Sequence, residues 1–188
     1  EFLRSERTGY MIENLDGFAR CAREHPDAIL VAHTQTGEDG QDQAINLVHY
    51  IQQFGIVGRV AFPDQAQYRA GFPEAYMRAL YCAADVVNCV SMGEGFGIPT
   101  LEAQACGTPV IVGDWCASPE LLFAGWGIPK ENAHTFGTGQ YAFQFLPDPA
   151  AIQAAYQHAH RIMRSDPDEA TKLRAAARAG AMDYDNAA

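Results

Sequence analysis

The chain has 188 residues, 48% of them hydrophobic and 19% charged, and its net charge at pH 7 is −10. This length and composition predict a single globular domain over residues 1–188 and exclude a disordered chain. The acidic charge argues against nucleic acid or an anionic membrane as a partner of this surface. The sequence also lacks an apolar run near the roughly 18 residues that a membrane span needs.

The five cysteines show no CxxC spacing and no pairing with histidines that would indicate a metal site. They are Cys21, Cys82, Cys89, Cys106 and Cys116. Four of them lie in apolar stretches, which predicts buried, reduced thiols and therefore a cytoplasmic location. The charged and polar N-terminal residues do not resemble a signal peptide. Association with a membrane through a part of the protein outside this chain is left open.

Helical and extended patterns alternate along the chain. Residues 1–4 are interpreted as the remnant of a first strand. Apolar spacing and end signals predict helices over residues 10–23, 43–54, 74–84, 99–106, 148–164 and 168–182, and a further helix capped by Ser118. Buried strands are predicted over residues 28–33, 59–62, 85–90 and 109–112, with a weak edge strand over 142–146. Residues 63–72 and 125–140 are predicted to be irregular.

This alternation predicts an α/β domain, a Rossmann-like parallel sheet with helices on both faces. In such folds ligands lie beyond the carboxyl ends of the strands. Three loops are predicted at that edge, and they are candidates for ligand contact. They span residues 33–39, 63–68 and 91–98.

The stretch from Glu94 to Glu102 combines a glycine turn with two carboxylates. It follows an apolar run and leads into a helix opened by Pro99, and the free amides at such a helix start favour anions. Gly95 and Gly97 allow positive φ and close approach of a ligand. Because carboxylates accept hydrogen bonds from ribose or sugar hydroxyls, the stretch predicts a site for a nucleoside diphosphate sugar.

The sequence SMGEGFGIPTLEAQACGTPVI, residues 91–111, resembles the donor-site signature of family 4 retaining glycosyltransferases, as does YCAAD at residues 81–85. That family has the two-domain GT-B fold, and the resemblance extends more loosely over nearly the whole chain as its C-terminal half. It implies transfer of a sugar from a nucleoside diphosphate sugar to an acceptor with retention, without a metal or cofactor. The N-terminal acceptor domain would lie outside this chain, which alone would bind donor but turn over little.

The resemblance also implies roles for individual residues. Glu102 would bind the nucleotide ribose, and Glu94, the catalytic candidate, would lie against the donor sugar and phosphate. Sugar hydroxyls or phosphates would be held by the amides of Gly95, Phe96, Gly97, Ile98, Thr100 and Leu101. Ser91 matches the family's serine before the turn. Phe62 and Pro63 stand at the strand end where the family holds the base.

The family neutralises the departing diphosphate with an arginine and a lysine early in this half. Arg4 and Arg7 are the candidates here, but Thr8 or Gly9 stands where the lysine is usual. Since stabilisation of leaving-group charge supplies much of the rate enhancement in such reactions, this departure bears directly on activity. Either an arginine substitutes, or the site is weakened, or the alignment shifts by one residue.

Simpler interpretations stay open for several of these residues. Glu94 could be a solvated turn carboxylate, and Glu102 a first-turn glutamate favoured by the helix dipole. Phe96 could cover the sugar or fold under the turn, and the Ser91 hydroxyl could bond local backbone. A further set has core, loop-edge or dipole explanations that need no ligand, namely Phe62, His33 and Glu120.

Two other functions compete with sugar transfer. A degenerate, non-catalytic nucleotide-sugar-binding module would explain the missing lysine. The second alternative is an NAD-type dinucleotide-binding domain, whose sequence pattern is partly matched by the glycine run and by Asp114 after the next strand. The compressed glycine spacing and the paired glutamates do not fit that second alternative.

Overall fold

The computed structural model describes residues 9–37, 45–139 and 142–184. Its α-helices within these ranges are α1 (Gly9–Glu24), α2 (Leu47–Gln53), α3 (Gln65–Ala70), α4 (Glu74–Ala83), α5 (Ile98–Ala105), α6 (Pro149–Ser165) and α7 (Pro167–Ala181). Its strands are β1 (Leu30–Val31), β2 (Val60–Ala61), β3 (Val87–Asn88), β4 (Val110–Gly113), β5 (Gly125–Ile128), β6 (Ala133–Gly137) and β7 (Phe143–Pro147). Short 3₁₀ turns cover Ser118–Leu121, Lys130–Asn132 and Met182–Tyr184.

The described strands pair in three groups. β1 and β2 are parallel, β3, β4 and β5 form a parallel sheet with β4 in the middle, and β6 and β7 form an antiparallel hairpin. Parallel pairing brings the carboxyl ends of β3, β4 and β5 to one edge. The loop after β3 therefore lies at the edge where the sequence predicts a ligand.

The central strand β4 shows how the two faces are covered. All four of its residues are buried, and successive side chains of a strand point to opposite faces. Ile111 packs in a core cluster with residues of α1, α2 and α6, whereas Val110 and Val112 pack with residues of α4 and α5. Helices thus cover both faces, and the predicted α/β fold class is confirmed.

The helix predictions are largely confirmed. α1, α4, α6 and α7 each begin and end within about two residues of their predicted bounds. The Asp148 side chain accepts from the Ala150 amide at 2.8 Å, as expected of a helix N-cap before proline. The helix predicted over residues 43–54 begins only at Leu47, after the N-cap Asn46, so residues 45–46 are not helical as predicted. Residues 43–44 and the predicted strand at residues 1–4 lie outside the described residues.

The two segments predicted to be irregular both contain regular structure. α3 forms within residues 63–72, where Asp64 caps the helix by accepting from the Gln67 amide at 2.9 Å. Residues 125–140 contain β5 and β6. Gly125 has φ +134°, and a Cβ at this position would collide with the Val110 backbone. Glycine is therefore required for β5 to pair with β4, although glycine is unusual in strands.

Other predictions fail in detail. The strand predicted over residues 28–33 is two residues long, and Val31 is 52% exposed rather than buried. β3 is likewise shorter than predicted, and both of its residues are half-buried. Ser118 does not cap a helix; it is a buried residue inside a 3₁₀ turn. The turn is too short for the dipole explanation given to Glu120.

The cysteine prediction is confirmed only in part. All five cysteines, which lie within the described ranges, are free thiols. Cys21 is buried, and burial raises the pKa of its thiol to about 11. Cys82 and Cys116 are exposed instead. The apolar residues around them in the sequence therefore did not indicate whether the thiols are buried. As for membranes, none of the helices in the described part of the chain is both long and apolar enough to cross one.

Candidate functional site

The glycine loop, residues 91–97, connects the carboxyl end of β3 to the start of α5. Three successive carbonyls, one just before the loop and two at its start, accept hydrogen bonds from distant parts of the chain. The first is that of Val90, which accepts from Asn14 Nδ2 at 3.1 Å. Asn14 in turn accepts from Asn88 Nδ2 at 2.6 Å, and Asn88 Oδ1 accepts from the Val90 amide at 2.9 Å. Asn14 of α1 therefore holds the end of β3 by donating to the Val90 carbonyl and accepting from the Asn88 side chain.

The next two carbonyls are held by the turn that follows β4 and by β7. Ser91 accepts from Trp115 Nε1 at 2.9 Å, and Met92 accepts from the Phe145 amide at 2.9 Å. The rings of Trp115 and Phe145 stack with their centroids 5.5 Å apart. Lys130 lies over the Phe145 ring at 4.9 Å from its centroid. The start of the glycine loop is thus fixed before any ligand binds, which lowers the entropic cost of binding.

Replacing Trp115 with phenylalanine should loosen this loop. The variant keeps an aromatic ring beside Phe145 but loses the Nε1–H donor to Ser91 and leaves a small cavity. We expect a loss of about 2 kcal/mol in the free energy of unfolding and faster amide hydrogen exchange at residues 92–97. Trp126→Phe on β5 is the matched control and should leave exchange in the glycine loop unchanged. Equal acceleration in both variants would contradict this role of Trp115.

The start of α5 offers amides at the end of the glycine loop. Gly97 is the N-cap, with φ +97°, and in the described chain no side chain caps this helix. The Leu101 amide already donates to the Gly97 carbonyl at 3.3 Å. The prediction that Leu101 holds a phosphate through its amide is therefore wrong for this conformation, whereas the amides of Ile98 and Thr100 precede the first intrahelical bond. Thr100 is buried.

Gly95 differs from Gly97. Its φ is not positive, so positive φ is adopted at only one of the two predicted glycines. A Cβ at Gly95 would meet nothing within 4 Å among the described atoms, so the space beside it is open. Phe96, between the two glycines, is 46% exposed and lies edge-on to Tyr184 with ring centroids 6.1 Å apart. Phe96 is therefore on the surface and not folded under the turn.

Glu102 lies on the second turn of α5, not on the first. The interpretation as a first-turn glutamate favoured by the helix dipole is therefore wrong. Its exposed side chain accepts from the phenol of Tyr81 through Oε2 at 3.1 Å. Burial and the adjacent Glu102 carboxylate raise the pKa of Tyr81, so the phenol remains a donor at neutral pH.

Glu94 and Ser91 lie in the glycine loop itself. Glu94 is half-buried, and its carbonyl accepts from the Ala117 amide at 3.4 Å. The Ser91 hydroxyl is buried, and among the described residues it has no hydrogen-bond partner. The interpretation in which Ser91 bonds local backbone is therefore wrong. A buried hydroxyl without a partner costs free energy, and a ligand group could satisfy it.

The second edge of the candidate site follows β1 and β2. Phe62 is half-buried and packs against the main core, as its core interpretation predicts. His33 lies among the rings of Tyr68 and Phe72, with centroids 5.2 and 5.4 Å away, and burial lowers the pKa of His33. It is a packed, neutral histidine at the strand edge. Sequence reasoning missed this aromatic cluster, although the density of aromatic residues between Tyr68 and Tyr76 could have indicated it.

Some predicted site residues cannot be placed. Arg4, Arg7 and Thr8 lie outside the described residues, as do residues 38–39 of the first predicted ligand loop. Asp114, the acidic residue of the dinucleotide alternative, is exposed directly after β4. Within the described ranges, no group of three or more His, Cys, Asp or Glu side chains is arranged to hold a metal ion.

A parallel α/β sheet whose carboxyl edge carries a glycine loop and an uncapped helix start is typical of domains that bind phosphorylated ligands. Residues 27–140, more than half of the chain, match the family described as Glycosyl transferases group 1. The chain belongs to this family.

Named relatives agree with this assignment. The chain is 34% identical over 149 residues to a D-inositol 3-phosphate glycosyltransferase of Mycobacterium sp. (strain KMS), covering 77% of this chain and 32% of the relative. It is 37% identical over 97 residues to the enzyme of that name from Mycolicibacterium gilvum, covering 51% and 20%. The chain thus spans about a third or less of the length of these relatives.

Solved structures share the GT-B fold. The C-terminal domain of a glycosyl transferase group 1 family protein (LpcC) from Francisella tularensis matches with TM-score 0.63 and 22% identity, covering 96% of this chain and 81% of that one. Anabaena Alr3699/HepE in complex with UDP and glucose matches with TM-score 0.64 and 23% identity, covering 97% and 42%. At this identity the likeness shows the fold alone.

Proposed function

We propose that this chain is the nucleotide-sugar-binding domain of a family 4 type, retaining glycosyltransferase. The observation that carries the proposal is the placement of the Glu102 carboxylate, held by Tyr81, one turn beyond the uncapped start of α5. A phosphate at the helix start and a ribose at the carboxylate are then within the reach of one nucleoside diphosphate. The family match supports the reaction class.

In this proposal, different groups of the chain bind different parts of the donor. The amides of Ile98 and Thr100 hold the diphosphate, Glu102 accepts from the ribose hydroxyls, and Glu94 accepts from the donor sugar. The open space beside Gly95 leaves room for that sugar. The bond from the sugar's anomeric carbon to the diphosphate oxygen breaks, the acceptor oxygen bonds to that carbon on the same face, and the acceptor's hydroxyl proton passes to the departing diphosphate. Donors aimed at the diphosphate stabilise the charge that it gains.

Two further groups of residues complete the proposed donor site. Arg4 and Arg7 supply positive charge to the leaving diphosphate, in place of the lysine that the family usually has. Backbone near Phe62 holds the base, with the aromatic cluster around His33 bordering that edge. The Phe96 ring and the Ser91 hydroxyl face the donor sugar. We propose that binding needs no metal and no cofactor.

The proposal also concerns the complete protein, of which this chain is one domain. An N-terminal domain outside these 188 residues binds the acceptor, so this single domain supplies donor binding and little turnover by itself. The relatives are named for D-inositol 3-phosphate, and recognition of any such acceptor would rest with that other domain. We propose a cytoplasmic location for the reaction.

Binding of nucleotides to this chain tests the proposal. UDP is the first probe, because structural neighbours were solved with UDP and with UDP-glucose, and GDP, ADP and NAD complete the panel. Calorimetry should show one nucleoside diphosphate bound in preference to the other two and to NAD. Preference for NAD would instead support the dinucleotide alternative, and no binding across the panel would contradict a donor site in this chain.

A non-catalytic module is the second candidate, and the absence of the usual lysine near Thr8 favours it. Its donor site would bind nucleotide sugar in the same way. The two candidates separate in the complete protein, where donor binding without sugar transfer or slow donor hydrolysis would indicate the non-catalytic module.

A further inference from the structure

Tyr81 connects α4 to the carboxylate that we propose for ribose binding. Tyr81 is only 4% exposed, and it belongs to the core cluster that contains Ala103, Val110 and Val112. From this position the phenol reaches α5 and donates to Glu102 Oε2 at 3.1 Å. A tyrosine otherwise buried among apolar residues therefore directs its one polar group at the exposed side chain of Glu102.

The position of Tyr81 is fixed from the main chain as well as from the ring. Its carbonyl accepts from the Thr108 hydroxyl at 2.7 Å, a bond that is buried. Thr108 precedes β4, so the end of α4 is attached to the start of the central strand. Because the ring and the backbone are both held, the phenol oxygen has little freedom. The phenol oxygen therefore keeps a fixed position next to the carboxylate that it contacts.

Glu102 by itself would be mobile. A free glutamate side chain on an exposed helix face samples many rotamers, and fixing it costs on the order of 1–2 kcal/mol. The bond from Tyr81 engages Oε2. An ionised carboxylate has about four acceptor positions, and the exposed remainder of the group, Oε1 included, is left to accept from a ligand. Vicinal hydroxyls present two donors at the spacing of one carboxylate.

We infer that Tyr81 is a positioning residue for the donor site: its phenol holds the Glu102 carboxylate in the rotamer that accepts from the two ribose hydroxyls. The inference rests on the proposed function, since it specifies how that site recognises a ribonucleotide. The cost of ordering Glu102 is met during folding and not during binding, which is the benefit of preorganisation. The raised pKa of Tyr81 agrees with this role, because the phenol stays protonated and cannot repel the carboxylate.

Tyr81→Phe removes the donor and keeps the ring, so it is the variant that tests the inference. The probes are UDP and 2′,3′-dideoxy-UDP, which lacks both ribose hydroxyls; the corresponding guanine pair replaces them where the nucleotide panel selects GDP. We expect the Kd for UDP to rise about three- to tenfold, as loss of one ordered hydrogen bond predicts. The Kd for the dideoxy probe should stay within about twofold of the wild-type value.

A thermodynamic cycle with Glu102→Ala separates positioning from general destabilisation. In the Glu102→Ala background, adding Tyr81→Phe should not weaken UDP binding further, because the carboxylate that Tyr81 orders is gone. Tyr50→Phe on α2 is the matched control and should leave both Kd values unchanged. Thermal unfolding of each variant verifies that the proteins compared are folded.

The outcomes are distinguishable. Equal weakening of both probes by Tyr81→Phe, or additive weakening in the double variant, would overturn the positioning role and leave a structural one. Unchanged UDP binding in Tyr81→Phe, with binding weakened in Glu102→Ala, would overturn the inference while the proposed function stands. Absence of nucleotide binding to the wild-type chain would overturn the proposed function and the inference together.

Discussion

Replacement of Gln104 with leucine should lower the free energy of unfolding by about 4 kcal/mol. Gln104 is fully buried on α5. Its Nε2 donates to the carbonyls of Thr100 and Leu121 at 3.0 and 2.6 Å, and its Oε1 accepts from the amides of Phe123 and Ala124, both at 3.0 Å. Leucine fills a similar volume but satisfies none of these four groups, and each buried group left unpaired costs about 1–3 kcal/mol.

Urea denaturation and calorimetry measure this effect. A loss of 4 kcal/mol corresponds to a fall of about 8–16 °C in the melting temperature for a chain of this size. Gln153→Leu is the matched control, because Gln153 on α6 is half-buried and donates to Glu24 through a solvent-exposed hydrogen bond. It should change the free energy of unfolding by less than about 0.5 kcal/mol. Similar losses in both variants would show that Gln104 has no special structural role.

Glu102→Ala should weaken UDP binding about 10- to 100-fold. In the proposed site the carboxylate accepts two charge-assisted hydrogen bonds from the ribose, and such bonds are stronger than neutral ones. The sign of the effect is informative. Removal of a negative charge near a diphosphate should strengthen binding if long-range charge alone decides it. Weaker binding would therefore indicate direct recognition of hydroxyls.

Glu120→Ala is the control for this second prediction. Glu120 is another exposed carboxylate, in the 3₁₀ turn that follows β4, and it has no proposed ligand contact. Calorimetry should show UDP binding that is unchanged or slightly tighter. Equal weakening in both variants, or tighter binding in Glu102→Ala, would contradict the ribose-binding role of Glu102.

The sequence by itself determined the features that depend on neighbours along the chain. The helix starting at Pro149 could be predicted because Asp148 and the apolar spacing that follows are local signals. The glycine loop and its two glutamates could be recognised for the same reason, since a turn, a helix start and their ligand groups lie within twelve residues of Ser91. The resemblance to a glycosyltransferase signature added the chemistry.

Only the tertiary structure decided which distant groups meet. β5 forms because Gly125 lets the chain approach the Val110 backbone, and nothing in the local sequence around that glycine predicts a strand. The pairing of Tyr81 with Glu102, 21 residues apart, likewise depends on how α4 and α5 pack. Periodicity reports which face of an element is buried, but it does not report what that face contacts. The glycine loop could therefore be located from sequence, whereas its attachment to α1, to Trp115 after β4 and to β7 could not.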